Sequence, residues 1–298
     1  MAGSFPQEVF VLDGDGLLLA RLQGNGRGAR VVGATQYRFG EPPFADAPVT
    51  PSVTRPEALT EAVRRAKRDA GRLDRASLLL PDSWFRMNLL ELPTGGDRST
   101  SIEELIRWSV KRTLPVRAEE MRFAWTPLLK SSTGNQGLAV GAMQASLKAV
   151  ERAFADAGVA LILIEPIGLN VWNAAAARAS DNGALRLFFH LTGTEFTTGL
   201  FQGGIPLFLR SRNLTDTRDV RQEIALSASY LRSRLDWNTP AESWVSGNRV
   251  AEPVLETIAA EFAAPVRRLR LEDVSPAAPE EASKWEAELL GCVGVFTA

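Results

Sequence analysis

The chain has 298 residues, 45% of them hydrophobic, so it is long enough to bury one large core or two smaller ones. Its 34 basic and 35 acidic residues nearly cancel, which excludes a protein drawn to nucleic acid or to an anionic membrane by its net charge. A single cysteine, Cys292, excludes an intrachain disulfide, and a single histidine, His190, argues against a histidine-based zinc site.

The sequence contains no apparent targeting or membrane-spanning segment. Residues 1–10 lack a basic stretch followed by an apolar one, so we expect no signal peptide. The longest apolar run, 159–164, is far shorter than the roughly 20 residues that a membrane-spanning helix needs. We therefore expect a soluble, cytosolic protein that can still lie at a membrane through a partner.

The first third of the chain predicts a β-meander followed by a helix. The segments EVFVLDG, LLLARLQ and ARVVGATQYRF read as strands separated by glycine-rich turns. After a proline-rich loop, Pro56 opens an amphipathic helix that Gly71 ends.

The middle of the chain predicts four strands and a capped helix. ASLLLPD and FRMNLLELP read as two strands, and RFAWTPLL and GLAVGAMQAS as two more. Between these pairs, Ser101 and Glu104 have the spacing of a capping box, in which the hydroxyl and the carboxylate satisfy free amides of the first helical turn.

The pattern of the first third then starts again. After the strand VALILIE and a helix at 170–177, the segments LRLFFHL, FTTGLFQ and IPLFLRS predict three strands, and a long helix follows. Both halves alternate strands with helices, which predicts α/β layers. Both also open with a strand, a Gly-containing turn and a return strand, VFVLDGDGLLLARL and LFFHLTGTEFTTGLF. This repeat predicts a duplicated fold whose two turns face one cleft.

The duplicated hairpin resembles the actin-like ATPase (ribonuclease H-like) fold of actin, sugar kinases and FtsA. The middle of the chain is similar to the PilM family of type IV pilus assembly, in which three elements end in the pairs seen here as Pro81-Asp82, Leu92-Pro93 and Leu114-Pro115. Further segments resemble that family's helix-turn-strand, second phosphate hairpin and adenosine segment: VERAFADAGVALILIEP, TGTEFTTGLFQGGIPLFLRS and WVSGNRVAEPVLETIAAEFAAPV. The cytoplasmic part of GspL is a close alternative.

The resemblance implies an α/β, actin-like duplicated fold with an inserted α+β subdomain. The implied division of the chain is a core subdomain at 1–75, an inserted subdomain at 76–150, the core continued at 151–183, a second actin-like subdomain at 184–272 and a return to the core at 273–298. It also implies that the subdomain that relatives carry at about 212–243 is reduced to little more than one helix.

The resemblance further implies a nucleotide cleft made by three segments. Its candidate cofactor-binding residues are Asp13, Gly14 and Gly16 in the first hairpin, Thr192 and Gly193 in the second, and Ser246 and Gly247 in the adenosine segment. Phosphoryl transfer in such a cleft needs backbone amides at the phosphates and a carboxylate that holds magnesium or orients water.

The chain departs from the family in each of these segments. Asp15 adds a negative charge beside the phosphates, Leu191 stands where the family has an aspartate, and only Gly247 remains of consecutive glycines. The alternative interpretations are an Asp-Gly hairpin turn, a packed His190 and an ordinary structural turn. We therefore expect a protein without catalytic residues, with weak or absent ATP hydrolysis, and leave the binding of ATP and magnesium open.

The expected function is that of a scaffold in type IV pilus or related secretion machinery. Its partner would be the cytoplasmic tail of a PilN-like membrane protein, held as an extended segment between the insertion and the core. Trp84, Leu90 and Trp108 are the candidate groove residues, Trp108 first. Other pilus motor components and a homodimer stay open as partners. The alternatives are an active actin-like ATPase or small-molecule kinase, and a GspL-like cytoplasmic domain of type II secretion.

Overall fold

The structure is a computed structural model that describes residues 6–24, 29–45, 51–93, 101–112, 114–130, 134–179, 183–193, 195–214, 219–234, 240–276 and 278–297. Its strands are β1 (Glu8–Asp13), β2 (Gly16–Gln23), β3 (Arg30–Arg38), β4 (Phe44–Ala45), β5 (Ser52–Val53), β6 (Arg75–Leu80), β7 (Phe85–Pro93), β8 (Met121–Lys130), β9 (Gly134–Met143), β10 (Ala160–Pro166), β11 (Leu185–Thr192), β12 (Glu195–Gln202), β13 (Ile205–Asn213), β14 (Glu242–Ser246) and β15 (Val266–Arg268). Its α-helices are α1 (Pro56–Ala70), α2 (Ile102–Val110), α3 (Gln144–Asp156), α4 (Ile167–Ala176), α5 (Asp219–Arg234), α6 (Glu252–Phe262), α7 (Leu271–Val274) and α8 (Glu286–Gly294).

The two halves of the chain form five-stranded sheets with the same strand order. The first sheet is ordered β3-β2-β1-β6-β10 and the second β13-β12-β11-β14-β15. In each sheet the first three strands form an antiparallel meander, and the last two join in parallel. The duplication predicted from the two hairpins is thereby confirmed.

Helices α4 and α8 lie between the two sheets. Apolar residues of β1 and β2, of both helices and of β11, β12 and β14 form one buried cluster. Trp172 of α4 stacks on Phe201 of β12, with ring centroids 3.5 Å apart. Seven of the nine residues of α8 are buried, and beyond the glutamates of its first turn, Glu286 and Glu288, the helix has no polar side chain, as expected of a helix in the interior. The outer face of the first sheet packs on α1 and α3, and that of the second on α5 and α6.

The inserted sheet has the order β7-β9-β8 and is antiparallel. Helix α2 packs on one of its faces over a small core of Leu92, Ile106, Val110, Ala118 and Ala139. The predicted capping box is confirmed: Ser101 Oγ accepts a hydrogen bond from the Glu104 amide, and Glu104 Oε2 accepts one from the Ser101 amide.

The range expected for the inserted subdomain, 76–150, needs a correction. Strand β6 pairs with β1 and β10 inside the first sheet, and α3 packs against α1. The separate sheet therefore runs from Phe85 to Met143. The apolar segment ASLLL has no polar alternation, which is typical of a parallel strand buried on both faces.

Two other features bear on function. Between Leu214 and Pro240, the described residues form only α5. No helix in the described ranges is long and apolar enough to span a membrane.

Candidate functional site

The second hairpin packs backbone against backbone on the segment that follows β14. Gly193 has a positive φ of 50° in the turn between β11 and β12, and its amide donates to Asn248 Oδ1 at 3.2 Å. Gly247 has a φ of 119°, and a Cβ atom there would lie 1.9 Å from the carbonyl oxygen of Leu191. Two segments of the expected cleft, with Thr192, Gly193, Ser246 and Gly247, are therefore brought together. The amide of Gly193, which a phosphate would need, already has a partner.

His190 is a packed, neutral residue in this region. Its side chain is buried, and burial lowers the pKa of its imidazole to about 4. Its Nδ1 is hydrogen-bonded to the Ser246 hydroxyl at 2.9 Å, and that hydroxyl also lies 3.4 Å from the Phe189 carbonyl oxygen. Leu191, which stands where the PilM family has an aspartate, is also buried.

The first hairpin forms a tight two-residue turn. Asp13 pairs with Gly16, and the exposed residues Gly14 and Asp15 connect them. A Cβ atom at Gly16 would lie 2.8 Å from the carbonyl oxygen of Tyr37, so this glycine is needed for strand packing. The side chain of Asp13 lies outside what the structure describes. The turn fits the alternative interpretation of an Asp-Gly hairpin.

A buried carboxylate that the sequence analysis did not assign joins the two halves. Asp82 follows β6 in a 3-10 turn (Asp82–Trp84) and has no exposed surface. Its Oδ1 accepts from the Gly168 amide at 2.8 Å and its Oδ2 from Thr197 Oγ1 at 2.6 Å. A Cβ atom at Gly168 would lie 2.1 Å from Asp82 Oδ2, so α4 can begin this close only with glycine. The Pro-Asp pair after an apolar strand was the available sequence signal.

Glu195, the first residue of β12, completes this cluster. Its Oε2 accepts from the Asp82 amide at 2.9 Å and its Oε1 from the Ser83 amide at 3.0 Å. Burial raises the pKa of Asp82 to about 6; burial and then the Asp82 charge raise the pKa of Glu195 to about 7. All four oxygens of the two carboxylates accept a hydrogen bond from the protein. The described residues contain no group of three or more side chains suited to a metal.

A groove lies where the inserted sheet meets the first sheet. Its volume is ≈ 230 Å³, and its lining comes from β8, β9, β10, α3 and the first residue of β7. The described sheets end at β10 on one side of the groove and at β8 on the other. Such edge strands present unpaired main-chain groups. Arg122 and Glu151, which also line the groove, form an ion pair with an Nη1–Oε1 distance of 2.6 Å.

The expected groove residues Trp84, Leu90 and Trp108 do not line this groove. Trp84 is buried in the first-half core, with its ring 5.3 Å from that of Phe44. Leu90 packs with the small core under α2, and Trp108 is 78% exposed on α2 itself. Ala139 faces α2, whereas its neighbour Val140 lines the groove, because successive residues of a strand point to opposite faces.

The chain was compared with family models, curated proteins and solved structures, and only the solved structures match. No family model matches it, and no curated protein matches it. A chain of the PilM-PilN type IV pilus biogenesis complex has a TM-score of 0.79 at 15% identity, covering 96% of both chains. The cytoplasmic domain of EpsL, an inner membrane component of the type II secretion system of Vibrio cholerae, has a TM-score of 0.52 at 14% identity, covering 85% of this chain and 93% of that one.

A third solved structure, from Bacteroides thetaiotaomicron, is described as a protein with actin-like ATPase fold and unknown function. It has a TM-score of 0.53 at 11% identity, and 96% of each chain is covered. At such identities the likeness shows the fold alone. Together with the duplicated sheets and the two helices between them, it shows that this chain has the actin-like ATPase fold.

Proposed function

We propose that the protein is a PilM-like scaffold of type IV pilus or related secretion machinery. It works in the cytoplasm, at the inner membrane, by binding the tail of a PilN-like membrane protein. The groove between the inserted sheet and the first sheet is the observation that carries this proposal. The match to a chain of the PilM-PilN complex over 96% of its length supports it.

The groove suits an extended apolar peptide. The two flanking edges, β10 and β8, offer main-chain hydrogen bonds to an added segment, as in β-strand addition. Leu161, Ile162 and Leu163 of β10 supply apolar surface. A volume of ≈ 230 Å³ is below the roughly 300–1,000 Å³ of small-molecule pockets and fits a few side chains of a peptide.

Catalysis plays little or no part in this function. Leu191 cannot hold magnesium or orient water, and the oxygens of Glu195 already accept two backbone amides. We expect ATP turnover by the pure protein to stay near background. Steady hydrolysis that Asp13→Ala abolishes would contradict this.

One observation favours the second candidate, an active ATPase or kinase. Asp82 is a buried carboxylate with a raised pKa near the hairpins, and such groups are enriched at catalytic sites. If Asp82 is a catalytic base, the wild type hydrolyses ATP and Asp82→Asn does not. If both proteins hydrolyse ATP at the same background rate, Asp82 has a structural role.

Calorimetry with a peptide tests the scaffold. The ligand to test is the N-terminal peptide of a short single-span membrane protein whose gene neighbours the gene of this chain, where the genome encodes one. Ile162 on β10 lines the groove and is 44% exposed; Val32 on β3, the opposite edge of the same sheet, is 45% exposed. We expect Ile162→Asp to weaken binding about tenfold or more, a loss of about 1.4 kcal/mol.

Two controls accompany this experiment. Val32→Asp introduces the same charge on a matched edge strand and should leave the affinity unchanged. Trp108→Ala, outside the groove, should also leave it unchanged. If Ile162→Asp binds as tightly as Val32→Asp, the groove assignment is wrong.

A further inference from the structure

The chain joins the inserted sheet to the rest of the first half at two points. One is the connection from β6 through the 3-10 turn to β7, and the other is the passage from β9 to α3 at Met143-Gln144. The first connection lies against the second half of the chain, because β12 and β13 pack on the 3-10 turn and β13 packs on β7.

Hydrogen bonds to two other segments, β12 and the start of α4, fix this connection. Glu195 of β12 accepts the amides of Asp82 and Ser83. The Asp82 carboxylate in turn accepts hydrogen bonds from Thr197 Oγ1 of β12 and from the amide of Gly168 at the start of α4. We name these five residues the Asp82 cluster. Thr197 Oγ1 also lies 3.0 Å from Ser211 Oγ of β13, which extends the contact across the second sheet.

The Asp82 cluster is adjacent in the chain to the groove. Phe85 lines the groove and begins β7, only two residues after Ser83. The guanidinium of Arg86 donates to the carbonyls of Ser83 and Phe85, both at 3.1 Å, and so ties the turn to the strand. A displacement of Ser83 would therefore shift the first residue of the inserted sheet and with it one wall of the groove.

We propose that Glu195 and Thr197 are positioning residues that couple the second hairpin to the partner groove through the Asp82 cluster. This inference rests on the proposed function for the identity of the groove ligand. Any change that draws Glu195 away from the turn would loosen β7 and weaken the binding of the peptide. Conversely, bound peptide would strengthen the contact of the hairpin with the turn, because coupling between two sites is reciprocal.

The variants are chosen to preserve shape. Glu195→Gln leaves one good acceptor for two amides, and Thr197→Val removes the hydroxyl that donates to Asp82 at nearly constant volume. Thr197→Ser keeps the hydroxyl and should restore wild-type behaviour. Glu256→Gln, on an exposed position of α6 in the same half, is the matched control.

Amide hydrogen exchange is the first measurement and needs no ligand. In Glu195→Gln and Thr197→Val, amides at 82–92 should exchange about tenfold faster, while those of α5 and α6 stay as in the wild type. Unchanged exchange at 82–92 overturns the proposal. Exchange that rises equally throughout the protein also overturns it, because that result means a loss of global stability only.

Calorimetry with the peptide described above is the second measurement. The Kd should rise about fivefold or more in Glu195→Gln and Thr197→Val, and saturating peptide should slow exchange of the wild-type amides of Asp82, Ser83 and the β11–β12 hairpin. Faster local exchange with an unchanged Kd overturns the coupling. If the wild type binds no peptide, the proposed function fails, while the exchange result still decides whether Glu195 and Thr197 position β7.

Discussion

The imidazole of His190 shows how burial sets the chemistry of a single residue. A histidine two residues before a phosphate-type turn suggests a titrating group, yet the ring packs beside Phe188 and Ser246. Among the described residues its Nε2 has no hydrogen-bond partner. A buried imidazole without a counter-charge stays neutral, because the charged form loses its hydration.

We expect His190 to titrate far below the range of exposed histidines. Burial lowers its pKa to about 4, against about 6.5 in the unfolded chain. The unfolded chain therefore binds the proton first, and the stability that the neutral imidazole supports is lost as pH falls from about 6.5 towards 4. Because His190 is the only histidine, its ring protons in an NMR titration report this pKa directly. A midpoint near 6.5 in the folded protein would contradict the burial argument.

The carboxylates of the Asp82 cluster should give the opposite pH dependence. Their folded pKa values, about 6 for Asp82 and about 7 for Glu195, lie above the unfolded values near 4. The folded state thus binds protons more tightly, and stability from these groups is present at low pH and lost as pH rises towards 7.

Glu195→Gln should flatten this part of the stability curve. Between pH 5 and pH 8, we expect the free energy of unfolding of the variant to rise by about 1 kcal/mol relative to that of the wild type. This figure allows for the partial exposure of Glu195. Urea unfolding at each pH measures the difference. Glu256→Gln, an exposed carboxylate on α6, should show no such trend. A constant difference for Glu195→Gln would mean that Glu195 does not titrate in this range.

At the scale of single elements, α2 depends on its cap. The helix has nine residues and packs on a small core, so its first turn has little other support. Ser101→Ala removes the hydroxyl that accepts the Glu104 amide and should lower the free energy of unfolding by about 1 kcal/mol. Ser101→Thr keeps the capping hydroxyl and should lower the free energy of unfolding much less. Thermal or urea unfolding that cannot separate the two variants would argue against the cap.

The contact between α4 and α8 depends on glycine. A Cβ atom at Gly294 would lie 1.7 Å from the carbonyl oxygen of Asn170, which is backbone and cannot move aside alone. Gly294→Ala should therefore lower the free energy of unfolding by about 1–3 kcal/mol. Gly33→Ala, where the added carbon meets no atom within 4 Å, is the control and should be nearly neutral.

At the scale of the whole molecule, the two halves share one core. Trp172 of α4 contacts Phe188, Phe201 and Trp244 of the second sheet, and α4 also belongs to the cluster that includes β1 and β2. Such a shared core favours a single cooperative unfolding transition.

Two tryptophans test this arrangement. Trp172→Ala should lower the free energy of unfolding by about 3–5 kcal/mol, because it empties a buried site between the halves. Trp108→Ala, 78% exposed, should change it by less than about 0.5 kcal/mol. Two separate transitions in the wild type would show that the halves unfold independently.

The sequence by itself determined the elements and the duplication. The apolar runs of β1 and β2, the Pro56 and Gly71 limits of α1 and the Ser101 capping box each depend on a few neighbouring residues, so local chemistry fixes them. The repeated hairpins likewise predicted the duplication, which the common strand order of the two sheets confirms, and the resemblance of these hairpins to the actin-like ATPase fold predicted the fold class.

Only the tertiary structure decided what lines the groove and what joins the halves. Trp108 has the residue type of an interface anchor, but its position on α2 puts it on the other side of the inserted sheet from the groove. Asp82 and Glu195 are 113 residues apart in the sequence. No local pattern predicts that the Glu195 carboxylate accepts a hydrogen bond from the backbone amide of Asp82. Such contacts depend on how whole sheets pack, and burial then sets the pKa values that no spacing in the sequence encodes.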